Sequence, residues 1–240
     1  MIEVVTVSSA AEAGEIVARA ITALIEEKPE AVLGLATGSS PLPVYRALAQ
    51  SAADFSRVRG FALDEYVGLD PAHPESYRSV ITREVVEPLG LDPALVHVPP
   101  GAIEGIETAG ARYEAMIREA GGVDVQLLGI GSNGHIAFNE PGSALDSRTR
   151  REELTERTRL DNARFFDSLE DVPHACMTQG VGTILEAKRI FLLASGEGKA
   201  AAIRDAIEGP LSSDCPASAL QQHPNVTFLL DEGAASQLSR

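Results

Sequence analysis

Ala31-Val32-Leu33-Gly34-Leu35-Ala36, running directly into Thr37-Gly38-Ser39-Ser40-Pro41, decides how the rest of the chain is read. Six residues with no charge and no polar alternation predict a strand buried on both faces. A Gly- and hydroxyl-rich turn ends it. Pro41 can open the next helix, where its missing N–H costs nothing. A buried strand leading into a helix is the repeating unit of a parallel sheet.

The same alternation extends in both directions. Upstream, residues 2–7 form a β-branched run, and Ser8 and Ser9 can cap the first helix. In that helix Ile16, Val17, Ile21, Leu24 and Ile25 fall at helical spacing within 10–28. Downstream, strands are predicted over 60–63, 96–98, 123–128, 189–194 and 226–230, and helices over 75–89, 107–120, 180–187 and 199–208. The expected fold is α/β: one domain over 1–240, with a mostly parallel, doubly wound, Rossmann-like sheet and helices on both faces. In such sheets ligands bind beyond the carboxyl ends of the strands. Those ends carry Thr37-Gly38-Ser39-Ser40, Asp64-Glu65, the segment from Gly129 to His135, and Ser195-Gly196-Glu197-Gly198-Lys199.

Composition narrows the function. The 240 residues are 44% hydrophobic and 23% charged, which excludes a disordered or fibrous chain. A formal charge of −15 repels nucleic acid and anionic lipid, so neither is an expected partner. A bound phosphate would have to be met by a few placed cations. Cys176 and Cys215 are too few for a disulfide framework and fit a reducing cytoplasm. The N-terminus lacks the pattern of a signal peptide, and no apolar stretch approaches the ~20 residues of a membrane span. There is no repeat and no low-complexity tract.

Four motifs carry chemistry. The turn at Thr37, Gly38, Ser39 and Ser40 presents free N–H groups at a helix N-terminus, which suits a phosphate or a simple cap. Gly129-Ile130-Gly131-Ser132-Asn133-Gly134 spells the dinucleotide fingerprint. However, Pro141 and Gly142 argue against the long helix that the fingerprint requires, so no nicotinamide cofactor is expected. Gly198-Lys199 resembles a fragment of a P-loop, but Ala200 stands where Ser or Thr is needed; Lys199 can still meet a phosphate as a point charge. Finally, Asp64 at a strand end, and His135 with Glu140 in a Gly-flanked loop, can move protons: a carboxylate beside an imidazole fixes its tautomer. The five histidines are scattered, with no metal-binding spacing.

At these residues the chain resembles the glucosamine-6-phosphate deaminase family over essentially its whole length. The resemblance rests on residues 33–41, on Leu63-Asp64-Glu65-Tyr66-Val67-Gly68 followed by His73-Pro74-Glu75-Ser76-Tyr77, and on the highly specific stretch from Gly129 to Gly142. Ser147-Arg148-Thr149-Arg150, Ala163-Arg164-Phe165-Phe166 and residues 195–200 and 219–225 match in order. It implies conversion of glucosamine 6-phosphate and water to fructose 6-phosphate and ammonia. Asp64 would move a proton between C2 and C1, and His135, oriented by Glu140, would open the sugar ring. Gly38, Ser39, Ser40, Arg164 and Lys199 would hold the phosphate, and Thr37 and Gly129 would touch the substrate. Only proton transfers and loss of an amine are needed, so no metal or other cofactor is implied.

The chain departs from the family at three places. Asn133 stands where some members carry Asp, so it can hydrogen-bond but not titrate. Allosterically regulated members resemble this chain at Ser143 and Arg150 but carry Lys where Glu152 stands, so no activation by N-acetylglucosamine 6-phosphate is expected. A C-terminal extension seen in hexameric members is missing, which favours a monomer or small homo-oligomer. The rival readings are a 6-phosphogluconolactonase-like hydrolase, a galactosamine-6-phosphate deaminase and a non-catalytic sugar-phosphate sensor. Phe138-Asn139-Glu140-Pro141 favours the deaminase over the lactonase, which has no cyclic hemiacetal to open.

Overall fold

A computed structural model describes residues 2–239, with Asp161 through its backbone only. Along the chain run β1 (Ile2–Thr6), α1 (Ala10–Glu27), β2 (Val32–Leu35), α2 (Leu42–Ala49), β3 (Arg59–Ala62) and β4 (Asp64–Tyr66). Then come α3 (Tyr77–Ile81), α4 (Glu87–Leu89), β5 (Val96–His97), α5 (Ile106–Glu119), β6 (Val125–Leu128) and β7 (Arg150–Glu153). The chain closes with α6 (Glu156–Asn162), β8 (Ala175–Thr178), α7 (Val181–Ile184), β9 (Arg189–Ala194), α8 (Ala200–Ile207) and β10 (Val226–Leu230).

Seven strands form one sheet in the order β1-β10-β9-β6-β2-β3-β5, and every pairing is parallel. Helices flank it, as the apolar strands require. From β2 the chain moves to β3 on one side; from β6 it moves to β9 on the other. The order therefore reverses between β2 and β6, the place where open α/β sheets leave a crevice. The two Gly-rich turns, at 37–40 and 129–135, come directly after these two neighbouring strands.

Local chemistry explains the main elements. Ser9 caps α1 by accepting the Glu12 N–H at 3.2 Å, while Glu12 reaches back to the Ser8 N–H at 2.7 Å. Pro41 takes the cap position of α2, one residue before the expected one. Tyr45 of α2 is buried, and its hydroxyl donates to the Ala36 carbonyl at 2.8 Å, which pins the end of β2.

The sequence did not predict a second sheet. Strands β4, β8 and β7 pair antiparallel in the order β4-β8-β7, with Asp64 opposite Thr178 and Arg150 also opposite Thr178. The predicted helix over 75–89 is interrupted by a π turn at Thr82–Val86, where the Thr82 hydroxyl donates to the Arg78 carbonyl at 2.8 Å. Only Val181–Ile184 of the predicted 180–187 helix is α-helical. A buried carboxylate fixes the approach to β7. Glu114 accepts from Arg148 Nη2 at 2.8 Å, from the Thr149 N–H at 2.7 Å and from the Thr183 hydroxyl at 2.5 Å. Among the described residues, no helix is long and apolar enough to cross a membrane.

Candidate active site

A cleft of about 630 Å³ opens at the carboxyl end of the sheet. Its walls include Thr37, Gly38, Ser39 and Ser40 after β2, Asp64 after β3, Gly129 and His135 from the segment after β6, Arg164 after α6, and Lys199 before α8. Residues up to 162 positions apart in the chain, Thr37 to Lys199, thus share one cavity. Such a cleft, with a few converging polar groups, is where a small ligand binds.

The turn after β2 owes its shape to Gly38, whose φ of 86° lies in the left-handed region that glycine enters without strain. It delivers the hydroxyls of Thr37, Ser39 and Ser40 to the cleft beside the N-terminus of α2. Arg164 and Lys199 line the same cavity and supply cations that a net-negative protein must place individually. The Arg164 guanidinium lies 4.7 Å from the centre of the Phe165 ring.

Asp64 and Glu65 are adjacent and both buried, yet differently supported. Glu65 accepts the N–H groups of Tyr66, Tyr77 and Arg78 at 2.8, 2.9 and 2.9 Å, so it caps α3 and orients that helix. Asp64 lines the cleft, and among the described residues no hydrogen bond to its carboxyl offsets its burial. Burial, reinforced by the neighbouring Glu65 carboxylate, pushes Asp64 up to about 8. A carboxyl poised in this way is suited to taking up and returning a proton near neutral pH.

His135 projects from the loop after β6 and lies over Gly131, where an added Cβ would sit 2.3 Å from the imidazole. Any side chain there would have to displace the imidazole. Glu140 and Asn133 are not among the residues that line the cleft; both lie close to His135 in its own loop. Glu140 Oε2 is 3.7 Å from His135 Nδ1, close but beyond the distance of a formed hydrogen bond. The same oxygen accepts from Asn133 Nδ2 at 2.8 Å, and Oε1 accepts from the Thr158 hydroxyl. Burial alone would raise Glu140, but His135, Thr158 and Asn133 overcome it and hold the carboxylate at about 2. Between them lies Ala137, whose φ of 50° is the one left-handed value at a non-glycine position among the described residues. It too lines the cleft.

Sequence reasoning passed over several parts of the wall. Tyr66, Tyr77, Phe138 and Phe166 line the cleft as an aromatic cluster, with Tyr77 stacked on Phe138 at 5.9 Å and Tyr66 edge-on to Phe166 at 5.7 Å. Thr158 was also missed, because a threonine three residues after a threonine cap reads as ordinary helix-start chemistry. Among the described residues, no group of three His, Cys, Asp or Glu side chains is placed to hold a metal ion.

Residues 6–229 match the family of glucosamine-6-phosphate isomerases and 6-phosphogluconolactonases. The chain belongs to that family. A glucosamine-6-phosphate deaminase of Bifidobacterium longum subsp. infantis is 57% identical over 251 residues, 99% of this chain and 93% of that protein. The solved structure of a monomeric glucosamine-6-phosphate deaminase superposes with a TM-score of 0.94 at 43% identity, covering 98% of this chain and 99% of that one. A 6-phosphogluconolactonase from Trypanosoma cruzi shares the fold, with a TM-score of 0.81 at 20% identity over 100% and 98% of the two chains.

At the start of β7, Arg150 is held by several partners. Its guanidinium is already engaged: Nε meets Glu152 at 2.5 Å, Nη1 donates to Asn139 at 3.0 Å and Nη2 to Ser143 at 3.4 Å. Glu152 thus sets an anion directly against the Arg150 guanidinium.

Proposed function

We propose that this chain converts glucosamine 6-phosphate and water to fructose 6-phosphate and ammonia. One observation carries the reading: Asp64 and His135 face the same cleft as the 37–40 turn, Arg164 and Lys199. Proton-moving groups and anion-holding groups can therefore act on one small molecule. The deaminase relatives support the choice of reaction, and so does the carboxylate beside His135, since a cyclic hemiacetal has to be opened here and a lactone hydrolase acts on a cyclic ester instead.

In this reading the phosphate sits on Gly38, Ser39, Ser40, Arg164 and Lys199, with Thr37 and Gly129 against the sugar. Remote binding energy then orients the reacting carbons. His135 passes a proton between the ring oxygen and the anomeric hydroxyl, opening the ring. Glu140 and Asn133 hold the imidazole in register. Asp64 takes the proton from C2 and returns it to C1, leaving an imine at C2. Water adds there and ammonia departs. These steps are proton transfers, one addition and one elimination, so the chemistry calls for no cofactor. We further propose one domain acting as a monomer or small homo-oligomer in the cytoplasm. The monomeric relative and two buried free cysteines support this.

Incubation with glucosamine 6-phosphate is expected to release ammonia and fructose 6-phosphate in equal amounts. Release of neither product, from folded protein, would remove the proposal. Adding N-acetylglucosamine 6-phosphate is expected to leave the substrate saturation curve unchanged, because Glu152 already neutralises Arg150. A leftward shift of that curve would show that Glu152 can be displaced.

A further inference from the structure

Glu140 is clamped from two separate segments, and the second clamp is unexplained by the chemistry above. Asn133, in its own loop, holds one carboxylate oxygen; Thr158, from α6, holds the other. The Thr158 hydroxyl is buried and directional. Thr155 caps α6 by accepting the Thr158 N–H at 3.1 Å, and its own hydroxyl donates to Thr158 Oγ1 at 3.0 Å. With Thr158 Oγ1 already accepting, its proton goes to Glu140. One residue on, Arg159 Nη2 donates to the Leu169 carbonyl at 2.8 Å and to the Val172 carbonyl at 3.2 Å. The helix is therefore fastened on one side to Glu140 and on the other to the segment leading to β8. Its C-terminus runs directly into the turn Ala163–Phe165, which puts Arg164 in the cleft wall.

We propose that Thr158 is a positioning residue that locks the Arg164-bearing segment to the His135–Glu140 pair, so that the phosphate arm and the ring-opening groups are aligned together. The geometry makes one hydroxyl the mechanical link between two parts of the site that reach the cleft from different elements. Losing it frees Glu140 to rotate away from His135 and frees α6 to shift Arg164. Both substrate affinity and turnover should then suffer from a change at a residue that donates no proton to the substrate.

The kinetic part of this inference rests on the deaminase reading; a second readout does not. Thr158→Val keeps the shape and removes the hydroxyl, whereas Thr158→Ser keeps the hydroxyl. With glucosamine 6-phosphate, Thr158→Val is expected to lose about tenfold to a hundredfold in kcat and to raise KM severalfold, while Thr158→Ser stays within about threefold of wild type. Independently, ¹⁵N NMR of the His135 imidazole, assigned with His135→Gln, reads the tautomer. Wild type and Thr158→Ser should share one tautomer balance, biased by the carboxylate 3.7 Å from Nδ1; Thr158→Val should shift that balance. A wild-type tautomer and wild-type rates in Thr158→Val would overturn the proposal. So would a Thr158→Ser variant as impaired as Thr158→Val. If wild type proves inactive on this substrate, the deaminase reading fails, and the NMR comparison still decides the role of Thr158.

Discussion

Asp64→Asn is expected to lose roughly 10²–10⁴-fold in kcat on glucosamine 6-phosphate and, at the same time, to yield a more stable protein. The activity loss arises because an amide cannot take a proton from C2. The stability gain arises from linkage. The carboxyl sits near 3.8 when unfolded and at about 8 in the folded protein, so folding disfavours its ionised form. Below about pH 4 the group is protonated in both states and adds no penalty. The penalty grows as pH rises from there and is complete above about pH 8. One side of Asp64 faces the open cleft, so we take well under the full value of about 6 kcal/mol that the shift implies, about 2–4 kcal/mol. That corresponds to a rise in Tm of roughly 5–10 °C at alkaline pH, shrinking toward zero in acid. Calorimetry of both proteins between pH 4 and 9 checks the sign and the window. In wild type, kcat/KM should climb with pH to about 8, as the base becomes ionised.

Glu140→Gln should have the next largest effect. Both carboxylate oxygens act only as acceptors: Oε2 for Asn133 and toward His135, Oε1 for Thr158. A glutamine must turn its NH₂ toward one of these donors and cannot supply the charge that steadies a protonated imidazole. Ring opening should slow, and kcat should fall roughly 10²-fold. The glutamine can keep its carbonyl oxygen on the Thr158 hydroxyl and turn its NH₂ toward Asn133 and His135, so the link from α6 to the phosphate arm is kept and a reduced, open-chain analogue of the substrate should bind with near wild-type affinity. Steady-state kinetics with inhibition by that analogue separates the two. Near wild-type turnover in Glu140→Gln would show that His135 opens the ring without the carboxylate beside it.

The large sheet was legible because its strands are apolar throughout, and its Gly-rich ends marked the cleft. The small sheet was not. Its β7 strand reads Arg150-Arg151-Glu152-Glu153, alternately half-buried and exposed, and four charged residues in a row look like solvated loop. Asp64 stands out at the end of one strand, but a second strand begins at that same residue, and no periodicity in three residues could reveal it. The π turn at Thr82–Val86 arises within a segment whose composition is ordinary for an α-helix. Arg164 could be picked only through the family resemblance, since an arginine between Ala163 and Phe165 carries no local signal. Thr158 had none either, because its importance lies in a contact with Glu140 18 positions earlier.

Every role assigned to these residues depends on where a bound sugar phosphate lies. A crystal structure with the reduced, open-chain analogue of glucosamine 6-phosphate should show the phosphate on the 37–40 turn, Arg164 and Lys199, with C2 against the Asp64 carboxyl. A phosphate seated elsewhere, or a C2 atom beyond the reach of Asp64, would contradict it.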